Sequence, residues 1–256
     1  MKRIFCWAIV LLVMLILSSC QTTQESIRTG FNNYYDAWVE DGFLPEEAYL
    51  QENETPEIIQ TSDLKTKYRE IISNWYWCIG CSGFNGPEYE TTKIQEALIA
   101  FCKEKRAKIA IYSTTYTDTR NGVYSVPYTN YYTHTTTYSA FSYSIKRYDL
   151  SSYLFVPIPE EYKILYIPGL STSNLTQQER DLYKQNTGCF INTVYKNSSA
   201  FYANLCYGDI IIAINGKKIF DDDDYMEFVR NSNYGDIWNM TIVRNGFEKE
   251  ISLIFD

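Results

Sequence analysis

Histidine is the scarcest chemistry-bearing residue of this 256-residue chain, present once, as His134. A Ser-His-Asp hydrolase needs that residue beside its nucleophile, and here it lies inside a run of Tyr and Thr. One histidine with scattered thiols also cannot build the usual open zinc site. Basic charge is short as well: 23 Lys and Arg stand against 31 Asp and Glu, a net charge of −8. That balance excludes a nucleic-acid partner and gives no polybasic help at a membrane surface. Long apolar runs are limited to Ile4–Leu17, too short for a comfortable span. No Gly-rich phosphate loop with its Lys is present. Asp221 to Asp224 lack the alternating ligands and loop glycine of a calcium site, so they read as acidic residues at a helix start. No metal and no cofactor is expected.

What is present begins with Lys2 and Arg3, the uncharged run, and then Leu17-Ser18-Ser19-Cys20. This order resembles a bacterial lipoprotein signal over residues 1–20, which implies cleavage before Cys20 and acylation of that cysteine. Several acyl chains on Cys20 would hold the body at a membrane, where a single chain binds only marginally. Gln21 resembles the outer-membrane sorting pattern of bacteria with two membranes. The expected location is therefore the cell envelope, with the chain membrane-anchored by lipid.

Seven cysteines include Cys6 in the leader and Cys20, leaving Cys78, Cys81, Cys102, Cys189 and Cys206. An odd set cannot form a complete disulfide framework within one chain. Cys78-Ile79-Gly80-Cys81 has dithiol spacing, but a redox pair needs its first cysteine at a helix N-terminus. The flanks Trp75-Tyr76-Trp77 and Ser82 to Pro87 read instead as a strand running into a turn.

Residues 21–60 read as a tether with aromatic anchors that packs near Tyr34. Residues 61–160 read as an α/β domain. Trp75–Gly80 is a predicted strand, Thr91–Lys105 places Ile94, Ala97, Leu98, Phe101 and Cys102 at helical spacings, and Lys108–Tyr112 is a second apolar strand. That order predicts a crossover between parallel strands, with Ser82–Pro87 as the turn at the sheet's carboxyl end. From Tyr112 to Tyr153 a Tyr/Thr/Ser-rich segment predicts a polar β-ribbon, with Asn121-Gly122 as its turn and a weakly specified register. Pro157 and Pro159 mark the domain exit.

The remaining 161–256 contain Gly188 to Val194 as a strand, a short helix opening at Asn197 to Ala200, and Tyr207-Gly208-Asp209-Ile210-Ile211-Ile212-Ala213-Ile214-Asn215-Gly216. A helix near Asp223–Asn231 and a hairpin closing through Val243-Arg244-Asn245-Gly246 follow. This arrangement resembles a bacterial PDZ domain, of the kind found in periplasmic high-temperature-requirement proteases, without a protease domain. The whole order resembles bacterial PDZ-containing lipoproteins. The resemblance implies a partly open β-barrel with two helices, and an overall α+β chain. It also implies binding of an extended peptide or protein C-terminus by strand addition. On that basis the peptide-binding residues are Pro168, Gly169, Leu170, Ser171 and Thr172, facing Tyr225, Phe228 and Val229. Pro168 has no N–H to offer a carboxylate, and Thr172 stands where the family has an apolar residue. The expected function is a non-catalytic scaffold or adaptor for protein partners. Two alternatives are a hydrolase with its site at Ser82–Pro87, and a surface protein that binds through the Tyr-rich ribbon.

Overall fold

The computed structural model describes residues 23–40, 42–130 and 132–256. The leader, Cys20 and Gln21 lie outside the described residues. Among the described residues no helix is long and apolar enough to cross a membrane.

The chain forms two compact units. The first takes the described residues up to Leu64 together with Cys78–Val156, and the second takes Lys65–Trp77 together with Pro157–Asp256. A boundary at residue 160 therefore gives way to an interleaved one. The reason is aromatic packing: Trp75 stacks on Tyr195 at 4.3 Å and donates Nε1–H to Lys196 O at 2.7 Å. Arg69 lies 3.8 Å over the ring of Tyr207. These contacts hold Lys65–Trp77 to residues more than a hundred positions away.

The first unit contains α1 (residues 23–33), β1 (Tyr35–Ala37) and β2 (Glu57–Gln60). α2 (Leu64–Ser73) belongs, from Lys65 on, to the second unit; the first then continues with β3 (Tyr76–Pro87), α3 (Thr91–Lys105), β4 (Ile109–Asn130) and β5 (Thr135–Pro157). The sheet order is β1-β3-β5-β4-β2, with β2 and β4 parallel. The predicted crossover from β3 through α3 to β4 exists, but β5 sits between the two strands. Residues 23–33 are helical rather than a tether. Ile27 and Phe31, one turn apart, are fully buried, and Phe31 packs on Phe84 at 5.1 Å and Phe101 at 5.6 Å.

Ser82–Pro87 continues β3 instead of turning. Its glycines serve close approach: a Cβ on Gly83 would lie 3.2 Å from Leu150 O, and one on Gly86 2.7 Å from the Tyr89 ring. The pair Cys78 and Cys81 is three apart in a strand and so points to opposite faces. Burial and the nearby Asp36 push the Cys81 thiol up, the reverse of what thiolate chemistry requires.

The ribbon is real but differs in two respects from the expectation. Asn121 and Gly122 lie in mid-strand, paired with Ser144 and Tyr143, and the turn comes at 132–134, where His134 has φ 50°. Gly122 is required because the Tyr143 ring lies over it; a Cβ there would meet that ring at 2.4 Å. The two sides of the ribbon are also unlike, although both are exposed. Tyr124, Val126 and Tyr128 share one side with Phe141, Tyr143 and Ile145, and Tyr124 stacks on Phe141 at 5.6 Å. The other side is mostly Ser, Thr and Asn, a difference that only the pairing register exposes. At the ribbon's base Thr117 is the extra residue of a bulge, held by Asn85 Nδ2–H at 3.1 Å, while Arg147 Nε–H donates to Asn85 Oδ1 at 2.7 Å.

The second unit adds α4 (Glu160–Lys163), β6 (Leu170–Asn174), α5 (Gln177–Tyr183), β7 (Cys189–Val194) and α6 (Ser199–Tyr202). It continues with β8 (Ile210–Ile214), β9 (Lys217–Lys218), α7 (Asp222–Arg230), β10 (Ile237–Arg244) and β11 (Phe247–Ile254). Its sheet runs β11-β10-β8-β7-β6, with β9 paired to β8. Apolar positions of β7, β8 and β10 meet around Trp238, Ile211, Ile214 and Met240, all fully buried. α5 starts on a capping box, with Thr176 and Glu179 each satisfying the other's backbone N–H. α7 starts similarly: Asp221 accepts from Asp224 N–H at 3.0 Å, and Asp224 accepts from Phe220 N–H at 2.9 Å. The acidic run is thus a helix start, as its composition implied.

Candidate functional site

β6 ends the sheet, and α7 lies beside it, so the second unit presents a strand edge with a helix along one flank. Asp222 N–H at the start of α7 donates to Asn174 Oδ1 at 2.9 Å, which ties the helix to the far end of β6. Forty-eight positions separate the partners, so no local signal marks that contact.

The hydrogen bonds around β6 decide which of its backbone groups face out. Tyr195 N–H donates to Gly169 O at 2.9 Å, so the adjacent Leu170–Val194 pair is a non-hydrogen-bonded one. Leu170's own N–H and C=O therefore turn away from β7. Opposite Thr172 stands Ile191, which donates N–H to Asp209 O at 2.9 Å and accepts from Gly208 N–H at 3.0 Å. Both groups of Ile191 are engaged with the β8 side, so Thr172 also turns its backbone outward. Leu170 and Thr172 share that edge because they stand two apart on one strand, and the register shift between Ser171 and Thr172 is taken up by an extra residue, Asn192, on β7.

The eight residues inferred from the sequence fall into three groups. Leu170 and Tyr225 are buried in the core, and Phe228 and Val229 pack against it. Ser171 and Thr172 are partly exposed on β6. Pro168 and Gly169 are buried, and both carry bonds to their own unit: Pro168 O accepts from Ala200 N–H at 3.0 Å, and Gly169 N–H donates to Tyr166 O at 2.5 Å. Gly169 adopts φ 95°, and a Cβ there would fall 2.0 Å from Ser198, so this position admits only glycine. The Tyr225 hydroxyl has no hydrogen-bond partner, and burial keeps it a neutral phenol.

A cavity of about 330 Å³ opens at the loop end of the strand, lined by Trp75, Lys163, Ile167, Gly169, Ser198 and Tyr234. Trp75 and Tyr234 were missed by sequence reasoning: one lies in the Lys65–Trp77 segment, far ahead of the PDZ-like stretch in sequence, and the other follows α7.

Gly80-Cys81-Ser82-Gly83 has the spacing of a serine-nucleophile turn, a match that sequence reasoning overlooked. The structure sets it in mid-strand, with Ser82 buried and its hydroxyl donating to Phe31 O at 2.6 Å. Among the described residues no group of three or more His, Cys, Asp or Glu is placed to hold a metal ion.

Residues 169–254 match the PDZ domain family. Among solved structures, the chain is similar to the HtrA3 PDZ domain bound to a phage-derived ligand, FGRWV. Identity is 20%, over 34% of this chain and 82% of that one, with a TM-score of 0.31. It is also similar to the HtrA-type protease AlgW with a decapeptide, at 19% identity over 40% of this chain and 36% of that one, with a TM-score of 0.32. An aminopeptidase N family protein from Idiomarina loihiensis matches at 20% identity over 34% of this chain and 13% of that one, with a TM-score of 0.29. The chain thus spans about a third of AlgW. No curated protein matches it. The C-terminal unit carries a PDZ domain in an α+β chain, and a PDZ domain implies binding of peptides or proteins.

Proposed function

We propose that this chain is a lipid-anchored cell-envelope protein whose PDZ domain takes up extended segments of partner proteins and acts as a non-catalytic adaptor. The observation that carries the reading is the outward-turned backbone of Leu170 and Thr172 on the edge strand beside α7. An extended peptide adds there as a further strand, and its side chains meet the helix flank. The burial of Ser82 supports the non-catalytic part. The order Lys2, Arg3, apolar run and Cys20 supports the anchor, and the net charge of −8 argues against nucleic acid.

Strand addition has a direct test in Thr172→Pro. Proline is tolerated on an edge strand where its N–H would have faced solvent, so the fold should persist by circular dichroism while peptide binding is lost. Unchanged binding by a folded Thr172→Pro chain would refute strand addition. Peptides N-methylated at alternate residues give the same test without altering the protein. For the anchor, Cys20→Ala should abolish incorporation of radiolabelled palmitate and move the protein out of the membrane fraction. Retained labelling would place the lipid elsewhere.

A further inference from the structure

The PDZ loop ahead of β6 has few free backbone donors. Ile167 N–H donates to Ile164 O at 3.4 Å, Pro168 has no N–H, and Gly169 N–H donates to Tyr166 O. Among residues 167–170 only Leu170 turns its N–H toward the open edge. Capture of a free carboxylate by a backbone nest needs several convergent N–H groups, and one donor does not make such a nest. The strand itself keeps its outward groups at Leu170 and Thr172, so backbone pairing along a ligand is intact. A ligand read this way has no need to end at the loop.

We propose, resting on the strand-addition reading above, that this PDZ domain recognises an internal extended segment of its partner and is indifferent to a C-terminal carboxylate. The partner is then a protein with an exposed, unpaired stretch of chain, such as a loop or a linker, and not one selected by its last residue.

The test uses the full chain in detergent and two phage-displayed libraries of random decapeptides. One presents the decapeptides at a free C-terminus; the other flanks them on both sides with Gly-Ser spacers. Enrichment is expected from both libraries, and selected peptides should bind equally as free acids and as amides. Carboxylate recognition predicts the opposite, a loss of at least about tenfold on amidation, because a hydrogen bond to a charged group is at stake. Such a loss, with enrichment only from the free-C-terminus library, overturns the inference and leaves strand addition standing. Enrichment from neither library overturns both.

Discussion

Replacing Asp209 by alanine is expected to destabilise the C-terminal unit by about 3–5 kcal/mol. Asp209 is 1% exposed and holds Arg244 through two bonds, Nε–H to Oδ1 at 2.6 Å and Nη2–H to Oδ2 at 2.5 Å. It also accepts Cys206 N–H at 2.8 Å, and Arg244 donates onward to Asn204 O at 2.8 Å. The pair therefore locks the turn before β8 to the end of β10. Removing the carboxylate strands a guanidinium that is only about a fifth exposed. Thermal unfolding should show a fall of more than about 12 °C. A double-mutant cycle with Arg244→Ala separates the pair from its surroundings, since the two single losses should be strongly non-additive. Additive losses would mean that Asp209 acts through its backbone contacts alone.

Trp238→Ala should cost a similar amount, about 3–5 kcal/mol, and should weaken peptide binding as well. Trp238 is fully buried, stacks on Phe255 at 4.8 Å and meets Phe228 edge-on at 5.2 Å. Its Nε1–H donates to Ser232 Oγ at 3.1 Å, and Ser232 donates to Phe228 O at 2.9 Å. The last turn of α7 thus rests on this one indole. Without it the helix that flanks β6 loses its support, so the ligand should dissociate faster even where the unit remains folded. Trp238→Phe keeps the ring contacts and gives up the hydrogen bond, and its cost should be about 1–1.5 kcal/mol. Urea unfolding with parallel binding measurements checks both; a folded Trp238→Ala unit with wild-type affinity would show that α7 does not shape the groove.

Asp209 and Arg244 also explain why the C-terminal fold was legible in sequence. They belong to the Gly-Asp and Val-Arg-Asn-Gly segments on which the PDZ resemblance rested, and the structure joins them. Local signals of this kind travel well: the helix Thr91–Lys105 appears as its apolar spacing predicted, because its buried residues lie on one face. Signals that depend on what packs nearby do not. Asn121-Gly122 carries a strong turn preference, yet Gly122 answers to the Tyr143 ring across the strand. Ser82 to Pro87 has turn composition, yet its glycines admit Leu150 and Tyr89. At the groove, the placement of β6 against α7 was legible, but the loss of donors at Ile167 and Gly169 was not. Those bonds run to Ile164 and Tyr166, in a segment without a motif.

The interleaving of the two units bears on how the protein is made. The backbone passes from one unit to the other at Leu64, at Trp77 and again at Val156. During vectorial synthesis Lys65–Trp77 emerges long before Tyr195 and Tyr207, so Trp75 and Arg69 must wait for the ribosome to deliver most of the remaining polypeptide. A polypeptide truncated ahead of the PDZ domain lacks Tyr195 and Tyr207, so Trp75 and Arg69 lose the rings on which they pack.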